Sequence, residues 1–181
     1  MASGSTQRFA TRSRPPRVIT DGNGRAIRIE AFEGDIDELA AMYDDFDASQ
    51  RAQGLPPFGQ SAIQEWLDSL VGPDCHNLVA RHDGCVVGHA ALVPDEETRH
   101  ELAIFVHQDY QRAGIGEALL TTTLAQGRTH GVERVWLVVE RRNRAAINLY
   151  EKLGFETLQE RSCEREMELR LHPGNGSIDP G

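Results

Sequence analysis

The spacing of apolar residues along the chain switches between about two and about 3.6, which predicts strands and helices in alternation. Ala26–Phe32 alternates and reads as a strand. Asp35 can cap a helix running to about Gln53, with Ile36, Leu39, Ala40, Met42 and Tyr43 on its apolar side. Gly54-Leu55-Pro56-Pro57 stops that helix, and Ser61–Val71 predicts a second one with Ile63, Trp66, Leu67 and Leu70 inward. Asn77–Arg81 and Cys85–Val93 predict strands around the turn His82-Asp83-Gly84, and Glu101–Val106 predicts a fourth. Gly116–His130 is helical with Gly131 as its stop, Arg134–Val139 is a strand, and Asn143–Leu153 is a helix ended by Gly154. Phe155–Gln159 and Glu166–Leu171 close as strands. The order β-α-α-β-β-β-α-β-α-β-β predicts one mixed α/β domain over residues 25–171.

Both flanks lack this periodicity. Residues 1–24 hold Arg8, Arg12, Arg14, Arg17, Pro15-Pro16 and Gly22-Asn23-Gly24, and are expected to form a disordered basic arm. A solvated tail explains that arm better than a targeting signal. Residues 172–181, with Pro173, Gly174, Gly176 and Pro180, are expected to be a flexible tail.

The formal net charge of −9 argues against a nucleic-acid partner, because phosphate contacts need clustered cations. Lys152 is the only lysine, and every other cation is arginine. Such an acidic, lysine-poor composition suits a salt-adapted cytoplasm or a GC-rich genome. Cys75, Cys85 and Cys163 are odd in number and widely spaced, which is no disulfide framework and fits a reducing cytoplasm. No apolar run reaches the roughly 18 residues of a membrane helix, and no secretory h-region opens the chain. The expected setting is cytoplasmic, without membrane or nucleic acid.

The candidate chemistry lies where a strand runs into Gln111-Arg112-Ala113-Gly114-Ile115-Gly116 and a helix begins at once. The first turn of a helix presents unpaired N–H groups and the positive end of its dipole, so it suits an anion. Glycine lets the backbone approach phosphate oxygens, and Arg112 adds a guanidinium. A dinucleotide fingerprint would need Gly or Ala where Leu119 stands, and a P-loop needs a Gly-Lys pair that the chain lacks. By itself, a Gly-x-Gly turn also serves as a plain tight connection.

Its context narrows the reading. His100-Glu101-Leu102-Ala103-Ile104-Phe105-Val106-His107-Gln108-Asp109-Tyr110, followed by the turn, resembles motif A of the GNAT superfamily of acyl-CoA N-acyltransferases, which ends in Gln/Arg-x-x-Gly-x-Gly/Ala. Asn143-Arg144-Ala145-Ala146-Ile147-Asn148-Leu149-Tyr150-Glu151-Lys152-Leu153-Gly154-Phe155 resembles motif B. The likeness extends more loosely from about Ile27 to Leu171.

The resemblance implies a central mixed sheet of six to seven strands with about four helices, whose fourth and fifth strands splay apart. It implies an N-acetyltransferase that moves the acetyl group of acetyl-CoA directly to a primary amine, with no metal. Phe105 and Val106 would offer backbone groups to the pantetheine arm; Gln111, Arg112, Ala113, Gly114, Ile115 and Gly116 would hold the diphosphate; Asn143 would bond the pantetheine region. Tyr150 would protonate the departing thiolate, although a packed tyrosine fits the same pattern. Glu101 is the candidate base, a solvated strand-end carboxylate being its plain alternative, and Glu140 and His100 are the reserves. A base is needed because an amine of pKa about 10.4 is neutral only about once in 2,500 molecules at pH 7.

Other constellations fall short. His100-Glu101 opens like a zinc-protease motif, but Ile104 replaces the second histidine. Asp21-Gly22-Asn23-Gly24 opens like a calcium loop, but Arg25 and Phe32 occupy ligand positions. Cys75-His76 is an isolated neighbour pair rather than an activated thiol. The acceptor is expected against the first two helices, where Tyr43-Asp44-Asp45-Phe46-Asp47 favours a cation: a protein lysine or N-terminus, a polyamine or an aminoglycoside. A salt-adapted surface explains those carboxylates too. The Glu101 strand and the Tyr43 segment loosely resemble bacterial protein-lysine acetyltransferases. The competing class is a non-catalytic acyl-CoA sensor, and a homodimer is compatible with either.

Overall fold

The computed structural model describes residues 13–51 and 55–171. One eight-stranded sheet runs in the order β1-β2-β3-β4-β5-β6-β8-β7. Its strands are β1 (Arg17–Thr20), β2 (Ala26–Ala31), β3 (His76–His82), β4 (Cys85–Pro94), β5 (His100–Val106), β6 (Arg134–Glu140), β7 (Glu156–Glu160) and β8 (Glu164–Arg170). The helices are α1 (Ile36–Asp44), α2 (Gln60–Leu70), α3 (Ile115–Thr129) and α4 (Arg144–Leu153). This is the expected mixed architecture with one more strand.

The extra strand corrects the expectation of a disordered arm through residue 24. β1 pairs antiparallel with β2, from Arg17↔Ile29 to Thr20↔Ala26. Four residues are too few for a legible alternation, and among them Ile19 alone packs as an apolar residue on a core cluster while Val18 is 63% exposed. Residues 1–12 and 172–181, where the remaining arm and the tail were expected, lie outside the described residues.

α1 also ends early, at Asp44 instead of near Gln53. Asp44, Asp45 and Asp47 gather where the helix dipole is negative, and its last turn has no cation to offset them. Phe46 instead turns into the core beside Tyr43, with ring centroids 5.5 Å apart. A short 3-10 turn follows at Ala48–Gln50.

Helices cover both faces. Leu39, Met42, Tyr43, Ile63 and Leu67 of α1 and α2 pack on Val79 and Ala91. On the other face α3 and α4 bury Leu120, Leu124, Ile147 and Leu153 against Leu92, Leu102, Val135 and Leu137. Each fully buried aliphatic side chain contributes about 1.5–3 kcal/mol relative to exposure. Among the described residues, no helix is long and apolar enough to cross a membrane.

All neighbouring strands are antiparallel except β5 and β6, which α3 connects as a crossover. That parallel pair has two rungs, His100↔Val135 and Glu101↔Trp136. Beyond them β5 continues to Val106 and β6 to Glu140 without pairing with each other, each held by its other neighbour, β4 or β8. These are the fourth and fifth strands of the expected count, renumbered by the addition of β1, and the gap between them is the expected splay.

Candidate active site

The anion turn forms as its residues require. His107 donates its N–H to the Val87 carbonyl at 2.9 Å, ending β5, and a 3-10 turn over Gln108–Tyr110 follows. Arg112 takes φ of 57° and Gly114 φ of 86°, so the chain reverses through left-handed backbone. Gly114 is the N-cap of α3, and the first helical bond runs from Ala118 N–H to the Gly114 carbonyl at 3.2 Å. The N–H groups of Ile115, Gly116 and Glu117 thus have no partner within the helix. A Cβ on Gly114 would meet nothing within 4 Å, and one on Gly116 would meet only Val106 Cγ2 at 3.7 Å, so the approach to these amides is open.

The structure brings the predicted residues together here, in different ways. Ile115 buries its side chain and presents only its amide. Ala113 is buried, while Arg112 is exposed. Gln111 donates from Nε2 to the Val106 carbonyl at 3.0 Å and to Gln50 Oε1 at 2.9 Å. Glu117, a carboxylate in the first helical turn, is paired with Lys152 Nζ at 2.7 Å.

The turn opens onto the gap. Since the His107 N–H points to β4, alternation directs the peptide groups of Phe105 to β4 as well, opposite His89. Those of Val106, Ile104 and Leu102 face the gap instead. The backbone of Phe105 thus faces the sheet and not the gap, and its ring packs against Tyr43 and Trp66 at centroid distances of 5.5 and 5.4 Å. Ile104, which the sequence reading did not single out, turns its peptide groups to the gap, as strand alternation applied to the backbone would have indicated.

Asn143 is the N-cap of α4, accepting from Ala146 N–H at 3.1 Å through Oδ1, so its side-chain amide N–H groups remain for a ligand. Tyr150 is 9% exposed and packs against Phe155 in the cluster that includes Leu102. Its hydroxyl makes no hydrogen bond among the described residues, and burial pushes its pKa up to about 12. It therefore stays protonated across the neutral range.

Glu101 sits at the vertex of the gap, exposed, on the strand face of Ala103 and Phe105. Desolvation and the nearby Asp95 carboxylate raise its pKa above the usual carboxylate range. The reserves are placed less well. Glu140 is bound to Arg142. His100 lies on the opposite strand face from Glu101, beside His76 and near His130.

Tyr43 takes its place on the apolar side of α1. It is fully buried, its hydroxyl 2.7 Å from His89 Nδ1, while His89 Nε2 lies 2.7 Å from Asn77 Oδ1. Among its acidic neighbours, Asp45 meets His107 Nε2 at 2.9 Å, and Gln108 Nε2 donates to the Asp45 carbonyl at 2.6 Å, beside the anion turn. Among the described residues, no group of His, Cys, Asp and Glu side chains is placed to hold a metal ion.

Comparison with known proteins agrees with this geometry. The sequence pattern of the acetyltransferase (GNAT) family matches residues 39–155. An N-acetyltransferase of Mycobacterium tuberculosis, itself uncharacterised, is 38% identical over 92 residues, which cover 50% of this chain and 59% of that protein. The chain therefore spans about three fifths of that relative's length. The crystal structure of the GNAT domain of S. lividans PAT superposes with a TM-score of 0.71 at 16% identity, covering 86% of this chain and 96% of that one. A Salmonella typhimurium acetyltransferase solved with its cofactor acetyl-CoA gives a TM-score of 0.65 at 20% identity, covering 81% and 94%. With more than half of its length inside the family pattern and a split sheet of the same fold, the chain belongs to the GNAT family of acetyltransferases.

Proposed function

We propose that the chain is an acetyl-CoA-dependent N-acetyltransferase acting on a primary amine, either a protein N-terminus or lysine or a small cationic amine, by direct attack. The observation that carries this reading is the left-handed Gly114 cap, which leaves three helix N–H groups unpaired at the mouth of the β5–β6 gap. Acetyl-CoA supplies an activated acetyl thioester. The amides of Ile115, Gly116 and Glu117 and the Arg112 guanidinium suit its diphosphate. The gap-facing peptide groups of Ile104 and the N–H of Val106, with the free amide N–H of Asn143, suit the pantetheine arm.

Glu101 takes a proton from the amine, directly or through water, and the raised pKa of its carboxyl brings it closer to that task. The amine nitrogen bonds to the thioester carbon. The charge that develops on the carbonyl oxygen is met by a peptide N–H of β5 turned into the gap. The carbon–sulfur bond then breaks, Tyr150 gives its phenolic proton to the thiolate, and the second proton of the former amine nitrogen leaves through water to restore the phenol. Glu101 and Tyr150 occupy opposite faces of β5, so proton acceptance and proton donation are separated by the strand pair that would hold the thioester.

Thiol release from acetyl-CoA, measured over a panel of amines, peptides and aminoglycosides at low and high salt, tests the reading, with calorimetric binding of coenzyme A alongside. Binding with turnover on at least one amine supports it. Binding with no turnover on any amine leaves the acyl-CoA sensor instead.

A further inference from the structure

The anion turn is not self-supporting. Arg112 is a non-glycine residue in left-handed backbone, a conformation that persists only where its surroundings impose it. The surroundings here come from the far end of the chain. In the β1–β2 hairpin, Gly22 donates its N–H to the carbonyl of Ala113, the next residue, at 2.9 Å. A Cβ on Gly22 would stand 3.4 Å from Ala113 Cα, so the two backbones are in close approach. Arg25 donates from Nη1 to the Asp109 carbonyl at 3.2 Å and lays its guanidinium 4.1 Å above the Tyr110 ring.

Arg25 is itself held. Asp21, whose side chain is fully buried, accepts from Arg25 Nε at 2.7 Å, Arg25 N–H at 2.8 Å and Asn23 N–H at 3.0 Å. The same turn occurs again between β4 and β5. There Asp95 accepts from Arg99 Nε and N–H and from Glu97 N–H, Thr98 takes the left-handed position that Gly24 holds in the first hairpin, and Arg99 lies 4.8 Å above Trp136. One copy of this Asp-x3-Arg clasp sets an arginine on the anion turn, and the other sets one on the last rung shared by β5 and β6.

We propose that the β1–β2 hairpin is a brace for the anion turn, and that Gly22 and Arg25 are positioning residues for coenzyme A. The inference rests on the diphosphate reading of that turn. Arg25 acts through the turn and not on the ligand, because Nε and Nη1 donate to Asp21 and Asp109 and Nη2 is buried 2.7 Å from Asp21 Oδ2. A braced turn meets the diphosphate with its amides already aligned; an unbraced one must be ordered at the moment of binding.

Two variants test this. Gly22→Pro suits the second position of the Asp21–Gly24 turn, removes the N–H, and forces the hairpin off Ala113. Asp21→Asn/Arg25→Met removes the guanidinium without stranding a buried carboxylate. Calorimetric titration with coenzyme A and with pantetheine, which lacks the diphosphate, reads the result. Both variants are expected to weaken coenzyme A binding about tenfold, the cost of ordering the turn at the moment of binding, and to leave pantetheine within about twofold. Unchanged coenzyme A affinity in both variants, or equal loss for both ligands, overturns the brace. A wild-type chain that binds no coenzyme A removes the diphosphate reading itself, and the brace with it.

Discussion

Glu101 and Trp136 are partners on the last rung that β5 and β6 share, and the two strands part immediately beyond them. The candidate base therefore stands at the one place where the sheet is both closed enough to desolvate a carboxyl and open enough to admit a substrate. Desolvation first, and Asp95 second, raise its pKa. The acid limb of the pH–rate profile is expected above the ordinary carboxylate value of 4.5. Glu101→Gln should flatten that limb and lower kcat about 100-fold. A profile with the wild-type limb in the variant would remove Glu101 from the chemistry.

Tyr150 should act in the opposite sense. With a pKa pushed up to about 12, it is a proton donor at every pH where the protein is assayed. Tyr150→Phe is expected to lower kcat about 100-fold and to leave the Kd for coenzyme A unchanged. Because the hydroxyl has no partner among the described residues, thermal stability should hold. Unaltered kcat would reduce Tyr150 to a packing residue.

Gly116 separates stability from binding. It lies in the first turn of α3, where a Cβ meets only Val106 at 3.7 Å, so alanine should stabilise the free protein by about 0.5–1 kcal/mol. The motif that the turn resembles takes Gly or Ala at this position, so the same methyl should leave coenzyme A affinity within about threefold. Denaturant unfolding and calorimetry on Gly116→Ala check both; a gain in stability with a loss of affinity beyond about tenfold would contradict the open approach to these amides.

His89 sets a pH dependence of stability. Burial lowers its pKa to about 3, whereas a histidine in the unfolded chain titrates near 6.5. Above that value neither state binds the proton. Below it the unfolded chain does and the native chain does not, so stability falls as pH drops from 6.5 toward 3, by at most about 1.4 kcal/mol per unit from this group. His76 and His100, also lowered by burial, add in the same direction. Urea unfolding at pH 7.5, 6 and 4.5 should show the decline, and His89→Asn should flatten it. A slope unchanged by that variant would contradict the assignment.

The parts of the fold with long periodic segments were legible from residues alone. The apolar stripe of Ile36, Leu39 and Met42 and the alternation of Val135, Leu137 and Val139 both fixed a face. The anion turn was legible because glycine and helix onset are local features. Three things were not. β1 is too short to show a period. The truncation of α1 follows from carboxylates meeting a dipole that periodicity does not register. The contact of the Tyr43 hydroxyl with His89 joins residues 46 apart, and periodicity predicts the burial of Tyr43 but not its partner. The paired Asp-x3-Arg clasps stand in the sequence at Asp21 and Asp95, but their meaning depends on Tyr110 and Trp136, which only the tertiary structure brings beneath the two arginines.

The most direct test is a titration of the isotope-labelled protein with coenzyme A, followed by two-dimensional amide NMR. The amides of Ile115, Gly116 and Glu117, with those of Ile104 and Val106, are expected to shift most, while the far end of the sheet around His76 and His130 stays still. Saturating coenzyme A that leaves these five amides unmoved would contradict the account.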